Sequence, residues 1–187
     1  MAIQENVIEL DSGARRRRQR AIHGRAVGFT CGSFDLMHAG HDLMLAEGRQ
    51  LIAPAQTRVR PWLIVGLQKD PSIDRPEKNT PVQTLDERLV QLSNNRSVDE
   101  IIIYETEADL YEYLHTQARA HGGIIDTRIV GADHDKTPRT FTGLDLPILV
   151  RFNSRNHSYS SSELRKRVYL AEKAKREPFQ FELAAAE

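Results

Sequence analysis

The stretch that decides the fold reads Ala26-Val27-Gly28-Phe29-Thr30-Cys31-Gly32-Ser33-Phe34-Asp35-Leu36-Met37-His38-Ala39-Gly40-His41. Residues 26–31 are apolar enough to predict a short buried strand, and residues 40–53 predict a helix. Two glycines and two histidines therefore fall where a strand turns into a helix, which is where open α/β sheets bind ligands. A helix start offers unpaired N–H groups to an anion, and imidazoles three residues apart can face one phosphate together. The stretch predicts an anion site.

Strand and helix patterns alternate after residue 26. Apolar runs predict strands at 26–31, 61–67, 99–104, 127–131 and 147–152. Helical periodicity predicts helices at 40–53, 84–95, 107–121 and 160–175, with Gly122-Gly123 ending the third and a serine run capping the fourth. The strands are apolar on both faces, which is typical of parallel strands covered by helices. We therefore expect an α/β fold with a doubly wound five-stranded parallel sheet, in a single domain over residues 26–175.

Composition narrows the classes of function. The chain has 187 residues, a formal net charge of zero and 40% hydrophobic residues, so no overall field favours nucleic acid or membrane. Cys31 is the only cysteine, which excludes an internal disulfide and favours an intracellular location, expected to be the cytoplasm. No apolar run approaches the length that spans a membrane.

Both ends of the chain are expected to lie outside the domain. Residues 1–25 are predicted to form a basic arm around the run Arg15-Arg16-Arg17-Arg18-Gln19-Arg20, and residues 176–187 a frayed tail. The basic run is either a solvated tail or a contact with an acidic neighbour, a partner chain or a polyanion. Nucleic-acid binding through the arm is disfavoured because net charge is zero and no aromatics are interleaved with the arginines.

Two charged loops are longer than the fold requires. They span residues 68–83 and 132–146, and both follow predicted parallel strands. Long loops at that edge of a sheet are usually functional. We expect a function for the first loop and leave open whether the second is a surface insertion.

Two segments resemble the signatures of the nucleotidyltransferase family. Residues 33–41 are similar to the first signature, with its His-x-Gly-His core. Residues 155–162, Arg-Asn-His-Ser-Tyr-Ser-Ser-Ser, resemble the second, which usually reads Arg-Thr-x-Gly-Ile-Ser-Thr-Thr. Asp86-Glu87-Arg88 and the run from Arg96 to Glu100 also fit the family's spacing. A lone His-x-Gly-His also occurs in aminoacyl-tRNA synthetases of the first class, but two signatures in one short domain are more specific. The resemblance covers roughly residues 26–170 and is nearest to glycerol-3-phosphate cytidylyltransferases and the related adenylyltransferases.

The resemblance implies a Rossmann-like fold and an activity. A phosphorylated alcohol, such as glycerol 3-phosphate, would take CMP from CTP and release pyrophosphate, in a cytoplasmic homodimer that uses Mg²⁺. An adenylyltransferase acting on a sugar phosphate, FMN or NMN, and a nucleotide-binding module without turnover, remain as alternatives. The implied roles are these: catalysis by His38, His41, Lys78 and Arg155; nucleotide binding by Gly32, Ser33, Phe34, Asp35, Gly40, Gly131, Asp133, Ser158, Tyr159, Ser160, Ser161 and Ser162; acceptor binding by Arg88 and Arg96; and Mg²⁺ binding by Asp35.

The residue types allow other roles at several of these positions. A histidine pair can bind zinc, but zinc needs further ligands and the sequence offers no convincing third. The serines at 160–162 can simply cap a helix, Lys78 can be a solvated loop lysine, and Arg96 can pair with Asp99. Ser158 stands where the family has glycine and Tyr159 where it has isoleucine. His134 stands where cytidylyltransferases often have an aromatic residue. These departures leave CTP or ATP, and the acceptor, open.

Overall fold

A computed structural model describes residues 12–52, 59–135 and 140–184. Its elements in chain order are α1 (Ser12–Ile22), β1 (Val27–Gly32), α2 (Ala39–Ile52), β2 (Trp62–Gln68), α3 (Leu85–Ser93), β3 (Glu100–Tyr104), α4 (Glu107–Gln117), β4 (Thr127–Gly131), β5 (Leu149–Asn153) and α5 (Ser161–Ala184). Two short 3₁₀ turns, Arg119–His121 and Ala132–His134, flank β4.

The five strands form one parallel sheet in the order β3-β2-β1-β4-β5. The chain builds outward from β1 through β2 to β3, and then crosses to the other side of β1 for β4 and β5. The direction of winding reverses between β1 and β4, which opens a crevice at their carboxyl ends. The predicted doubly wound, five-stranded parallel sheet is confirmed.

Both faces of the sheet are buried, as the unbroken apolar strands predicted. One face packs Phe29, Ile64 and Tyr104 against Leu110 and Leu114 of α4. The other face packs a second set against α2 and α3, comprising Leu45, Ile52, Leu63, Val65, Leu67, Leu92 and Ile129. Alternate residues of β2 therefore pack into opposite cores. Because both faces of the sheet are covered, a ligand can reach it only at the strand ends.

The basic run lies in helix α1, where Arg16, Arg17 and Arg20 are exposed and Arg18 is half-buried. Arg18 donates from Nε and Nη2 to the Glu100 carboxylate at 2.9 and 2.8 Å, and Ile22 joins the core beside Val27 and Phe29. This is the contact with an acidic neighbour that the sequence left as its second interpretation. Residues 1–11 of the predicted arm lie outside the described residues.

The last two helices differ from the expected bounds. Helix α4 ends at Gln117, four residues before the predicted end, because Ala118 turns to an extended backbone and pairs with Ile125. The glycine pair then shapes the return: Gly122 has φ 88°, and a Cβ on Gly123 would lie 2.3 Å from the backbone of Gln117. Helix α5 runs on to Ala184, through most of the predicted tail.

No helix in the described ranges combines the length and apolar character needed to cross a membrane.

Candidate active site at the carboxyl ends of β1 and β4

The turn after β1 is held in an unusual backbone conformation. Phe34 and Leu36 both have φ 49°, in the left-handed region that non-glycine residues seldom adopt. The Phe34 ring is 2% exposed, and the Leu36 N–H donates to Gln83 Oε1 at 2.7 Å. The Gln83 N–H in turn donates to Asp35 Oδ1 at 2.9 Å. The end of the loop 68–83 thus clamps the turn, and strain of this kind is typical of functional sites.

His38 and His41 lie side by side at the start of α2, with ring centroids 4.1 Å apart. The Nδ1 atom of His38 accepts the Gly40 N–H at 3.0 Å, and Nδ1 of His41 accepts the His38 N–H at 3.3 Å. Because Nδ1 accepts in both rings, we assign the proton of each neutral ring to Nε2. Each imidazole therefore offers one Nε2–H donor, as a phosphate site requires.

Both rings are held neutral near pH 7. Burial is the main cause that lowers the pKa of His41 to about 4, and the neighbouring His38 and His157 lower it further against the opposing effect of Asp35. Burial also lowers the pKa of His38, with His157 adding to the effect. Neutral donors bind an incoming phosphate without a prior proton uptake.

Asp35 ties the turn to the last helix. Its carboxylate is 4% exposed, pairs with Arg165 of α5 through Oδ2, and accepts the Gln83 N–H through Oδ1. Its backbone carbonyl accepts the Ser161 hydroxyl at 3.0 Å. The two predicted signatures therefore meet at this residue.

The surroundings of Asp35 do not fit direct magnesium ligation. Both carboxylate oxygens face protein donors, and within the described ranges no group of three or more His, Cys, Asp or Glu could hold a metal ion. A Mg²⁺ ion that arrives on triphosphate oxygens keeps waters as its other ligands and needs no dedicated protein cage.

The segment from 154 to 162 connects β5 to α5 beside the histidines. Ser154 donates its N–H and hydroxyl to the two oxygens of Glu47 on α2, at 2.8 and 3.1 Å. Ser160 caps α5 by accepting the Glu163 N–H at 3.1 Å. Arg155, with φ 46°, is exposed. Ser158 and Tyr159 precede this cap and Ser162 follows it, and all three side chains are exposed. The start of α5 thus offers N–H groups and hydroxyls within the same crevice.

Four further predicted residues lie at this edge of the sheet. Gly32 ends β1, and Gly131 ends β4, where the following Ala132 N–H donates to Asn153 Oδ1 at 3.3 Å. Asp133 lies in the short turn Ala132–His134, and its side chain is outside the described residues. Lys78 is exposed in the loop after β2, which opens on the same edge.

Arg88 is not available to an acceptor. Its side chain is 2% exposed and donates to five backbone carbonyls, those of Ser33, Gln68, Lys69, Gln83 and Thr84, at 2.6–3.3 Å. It joins the ends of β1 and β2 to the start of α3. The expected contact with acceptor phosphate is replaced by a structural role, because the guanidinium satisfies buried carbonyls.

Arg96 is exposed in the connection between α3 and β3, and its contact with an acceptor stays a prediction. The preceding residue, Asn95, donates from its side-chain amide to Asp42, directly after His41, at 2.8 Å. The Arg96 carbonyl accepts from Arg49 and Arg60 at 3.2 and 2.8 Å, and both arginines pair with Asp99. The ion pair predicted for Arg96 with Asp99 is made by these other arginines.

Comparison with known proteins decides the family. The model of the cytidylyltransferase-like family matches residues 29–167, a range that contains the histidine pair, both ends of the Asp35–Arg165 contact and the serine cap. The chain belongs to the cytidylyltransferase-like family. The match extends over most of the sheet and both signature segments of this cytidylyltransferase-like chain.

Curated relatives of this cytidylyltransferase-like chain share about a third of their aligned residues with it. It is 29% identical over 134 residues to the bifunctional protein HldE of Wolinella succinogenes, an alignment that covers 70% of this chain and 27% of the relative. It is 33% identical over 103 residues to the ethanolamine-phosphate cytidylyltransferase of Mus musculus, covering 53% and 24%. The chain thus spans about a quarter of the length of these relatives.

A solved structure is also similar. The lipopolysaccharide core biosynthesis protein from Thermoplasma volcanium GSS1 aligns with a TM-score of 0.47 and 22% identity, over 69% of this chain and 94% of that one.

Sequence reasoning missed three residues of the site. Gln83 and Arg165 clamp Asp35, and His157 lies against the histidine pair. Their signals were weak, because Gln83 ends a long loop and Arg165 sits among other basic residues of α5. His157 stands at the variable position of the second signature, where the pattern predicts nothing.

Proposed function

We propose that the chain is a nucleotidyltransferase that moves CMP from CTP to a small phosphorylated alcohol. The observation that carries the proposal is the histidine pair: two neutral rings 4.1 Å apart, both with Nδ1 engaged by backbone N–H groups. The Nε2–H groups are left to bind oxygens of one phosphate. Membership of the cytidylyltransferase-like family and a relative named as an ethanolamine-phosphate cytidylyltransferase support this chemistry.

The reaction needs positioning and charge stabilisation rather than a protein nucleophile. An oxygen of the acceptor phosphate attacks the α-phosphorus, the bond to the bridging oxygen breaks, and that oxygen leaves with its electron pair on pyrophosphate. His38 and His41 donate to oxygens of the α-phosphate. Ser160, Ser161, Ser162 and the N–H groups at the start of α5 bind the leaving phosphates, together with Arg155 and Lys78.

Several partners and contacts stay predictions within this proposal. Mg²⁺ would neutralise triphosphate charge, and it would be bound by the nucleotide and water rather than by Asp35. The homodimer stays a prediction on the same basis of resemblance. Gly32, Ser33, Phe34, Gly40, Gly131 and Asp133 would shape the nucleoside pocket, with Ser158 and Tyr159 beside the base.

Pyrophosphate release tests the proposal directly. The full chain is incubated with CTP, ATP, GTP or UTP, Mg²⁺ and a panel of phosphorylated alcohols, sugar phosphates, FMN and NMN. We expect CTP with a phosphorylated alcohol to give the highest rate. Dominance of ATP would replace the cytidylyl assignment by the adenylyl one. Nucleotide binding without turnover on any acceptor would point to the non-catalytic module.

Matched variants of His41 test the role of its ring. In His41→Gln the side-chain amide reaches the position of Nε2 and can still donate, whereas in His41→Asn it reaches only Nδ1. We expect His41→Asn to lower kcat by about 100-fold or more, and His41→Gln to lose less. The control is His115→Ala, on the opposite side of the sheet on α4. Equal activity of His41→Asn and wild type would contradict the mechanism.

A further inference from the structure

A third histidine lies against the pair. His157 belongs to the segment between β5 and α5, and its ring stacks on Tyr159 with centroids 5.5 Å apart. A Cβ placed on Gly40 would lie 2.8 Å from Cε1 of His157 and 2.9 Å from Cε1 of His38. The two rings therefore border the same point at the start of α2, and a side chain at position 40 would separate them.

One ring nitrogen of His157 has no partner. Its Nδ1 atom is buried and makes no hydrogen bond, whereas Nδ1 of His38 and of His41 each accept a backbone N–H. A buried polar atom without a partner costs free energy unless a ligand or a water supplies the missing hydrogen bond. Two of the three rings are thus fixed by the protein, and the third retains an unmet donor or acceptor.

His157 lies against the histidine pair and, along the chain, between Arg155 and the Ser160 cap of α5. It follows Arg155, whose carbonyl accepts the His157 N–H at 2.8 Å, and it precedes the Ser160 cap of α5. The histidine pair lies on its other side, at the start of α2. A triphosphate bound from the pair to the α5 cap would pass His157 near the junction of the α- and β-phosphates.

The electrostatics agree with this proximity. The charge of His157 opposes protonation of both His38 and His41 and contributes to the lowered pKa of each. The other charged groups that act on the pair are Asp42 on α2 itself, and Asp35, Arg155 and Arg167 from neighbouring segments. An anion bound among the three rings would favour the donating form of each ring.

We propose that His157 is a third phosphate-binding imidazole, which donates from Nδ1 to an oxygen at the α–β junction of the bound triphosphate. It stabilises the charge that develops on the bridging oxygen as pyrophosphate leaves. His157 thus acts on the leaving group, while His38 and His41 hold the α-phosphate. The inference rests on the proposed function and adds a residue that the signature pattern does not specify.

The test compares two variants of His157, one with and one without a donor at the position of Nδ1. In His157→Asn the side-chain amide reaches the position of Nδ1 and can donate, whereas His157→Ala offers no donor. We expect His157→Ala to lower kcat by about 100-fold and to weaken inhibition by inorganic pyrophosphate, with KM for the acceptor unchanged. His157→Asn is expected to restore a large part of both. His115→Ala on α4 is the control for loss of a histidine elsewhere.

Measurements of ligand binding and of folding separate loss of the His157 donor from loss of the folded structure. Calorimetric titration with inorganic pyrophosphate and with CTP is run on all four proteins, and thermal unfolding checks that each is folded. Unchanged kcat and pyrophosphate affinity in folded His157→Ala would overturn the inference, as would equal losses in the Ala and Asn variants. If wild type turns over no nucleotide, the proposed function fails, while pyrophosphate affinity across the same variants still tests His157.

Discussion

At the scale of single residues, the site depends on which atoms the protein already satisfies. His38 and His41 each use Nδ1 for a backbone N–H, so their free donors are on Nε2. Arg88 uses its guanidinium on five carbonyls, so it is structural although it stands in a family-like run. Residue type suggested phosphate binding for all three, and the hydrogen bonds separate the histidines from the arginine.

The buried state of His41 predicts a pH dependence of stability. Its pKa of about 4 in the folded chain lies below the ordinary 6.5 of the unfolded chain. Stability is therefore full above pH 6.5 and falls as pH drops toward 4, because only the unfolded state takes up the proton. The loss attributable to His41 approaches about 3 kcal/mol at the lower end of that window.

Urea unfolding of wild type and His41→Gln measures this loss. The free energy of unfolding of each protein is determined at pH 7.5 and at pH 5. Groups other than His41 titrate alike in the two proteins, so their contribution cancels in the comparison. We expect the decline between the two pH values to be smaller in His41→Gln. An equal decline in the two proteins would contradict the assignment of a lowered pKa to His41.

At the scale of elements, the contact between α5 and the turn after β1 joins the two signatures. Asp35 pairs with Arg165, and Ser161 donates to the Asp35 carbonyl. The sequence predicts both elements but not their contact, since nothing in either segment states which basic residue of α5 meets Asp35. Helix packing determines that choice, because Arg165 lies on the side of α5 that faces the segment after β1.

Loss of that contact is expected to impair substrate binding more than folding of the core. Arg165→Met removes the cation that holds Asp35 and leaves the start of α5 held by Ser161. We expect KM for the nucleotide to rise by about 10-fold or more, since the turn after β1 loses the contact that holds it against α5 and the binding groups are no longer fixed in place. The adjacent, exposed Lys166 supplies the control Lys166→Met. Matching KM values for the two variants would argue against the link.

The helix ends show the limit of prediction at this scale. Core strands were predicted to within one or two residues, because their apolar runs are long and uninterrupted. The end of α4 was misplaced, since Ala118 leaves the helix to pair with Ile125, a contact that local propensity does not encode. Helix α1 was missed because its arginines predict a solvated tail, and the partner Glu100 is far away in the sequence.

At the scale of the whole molecule, the two edges of the sheet carry different groups of side chains. The carboxyl edge carries the histidine pair, the α5 cap and the loop with Lys78. The amino edge carries Arg49, Arg60 and Arg96 around Asp99, together with an open cavity of about 480 Å³. Asn95, the neighbour of Arg96, also donates to Asp42 beside the histidine pair, so the two groups approach each other along α2.

A pair of charge-removing variants tests the predicted roles of Lys78 and Arg96. Lys78→Met is expected to raise KM for the nucleotide or lower kcat, because it removes a cation from the phosphate side. Arg96→Met is expected to raise KM for the acceptor by about 10-fold, because it removes a charged hydrogen-bond donor, and to leave KM for the nucleotide within about two-fold of wild type. An unchanged KM for the acceptor in Arg96→Met would argue against acceptor binding by this arginine.

The sequence by itself determined the parallel sheet, and it predicts an anion site at the first strand–helix turn and a role for the two signatures together. These follow from local physics: apolar runs require burial, and helix starts offer N–H groups. Tertiary structure alone decided that Arg88 is buried, that Asp35 pairs with Arg165, and that His157 lies against the histidine pair. Each depends on which distant segments the crossovers bring together, a property of topology that no single stretch of the chain contains.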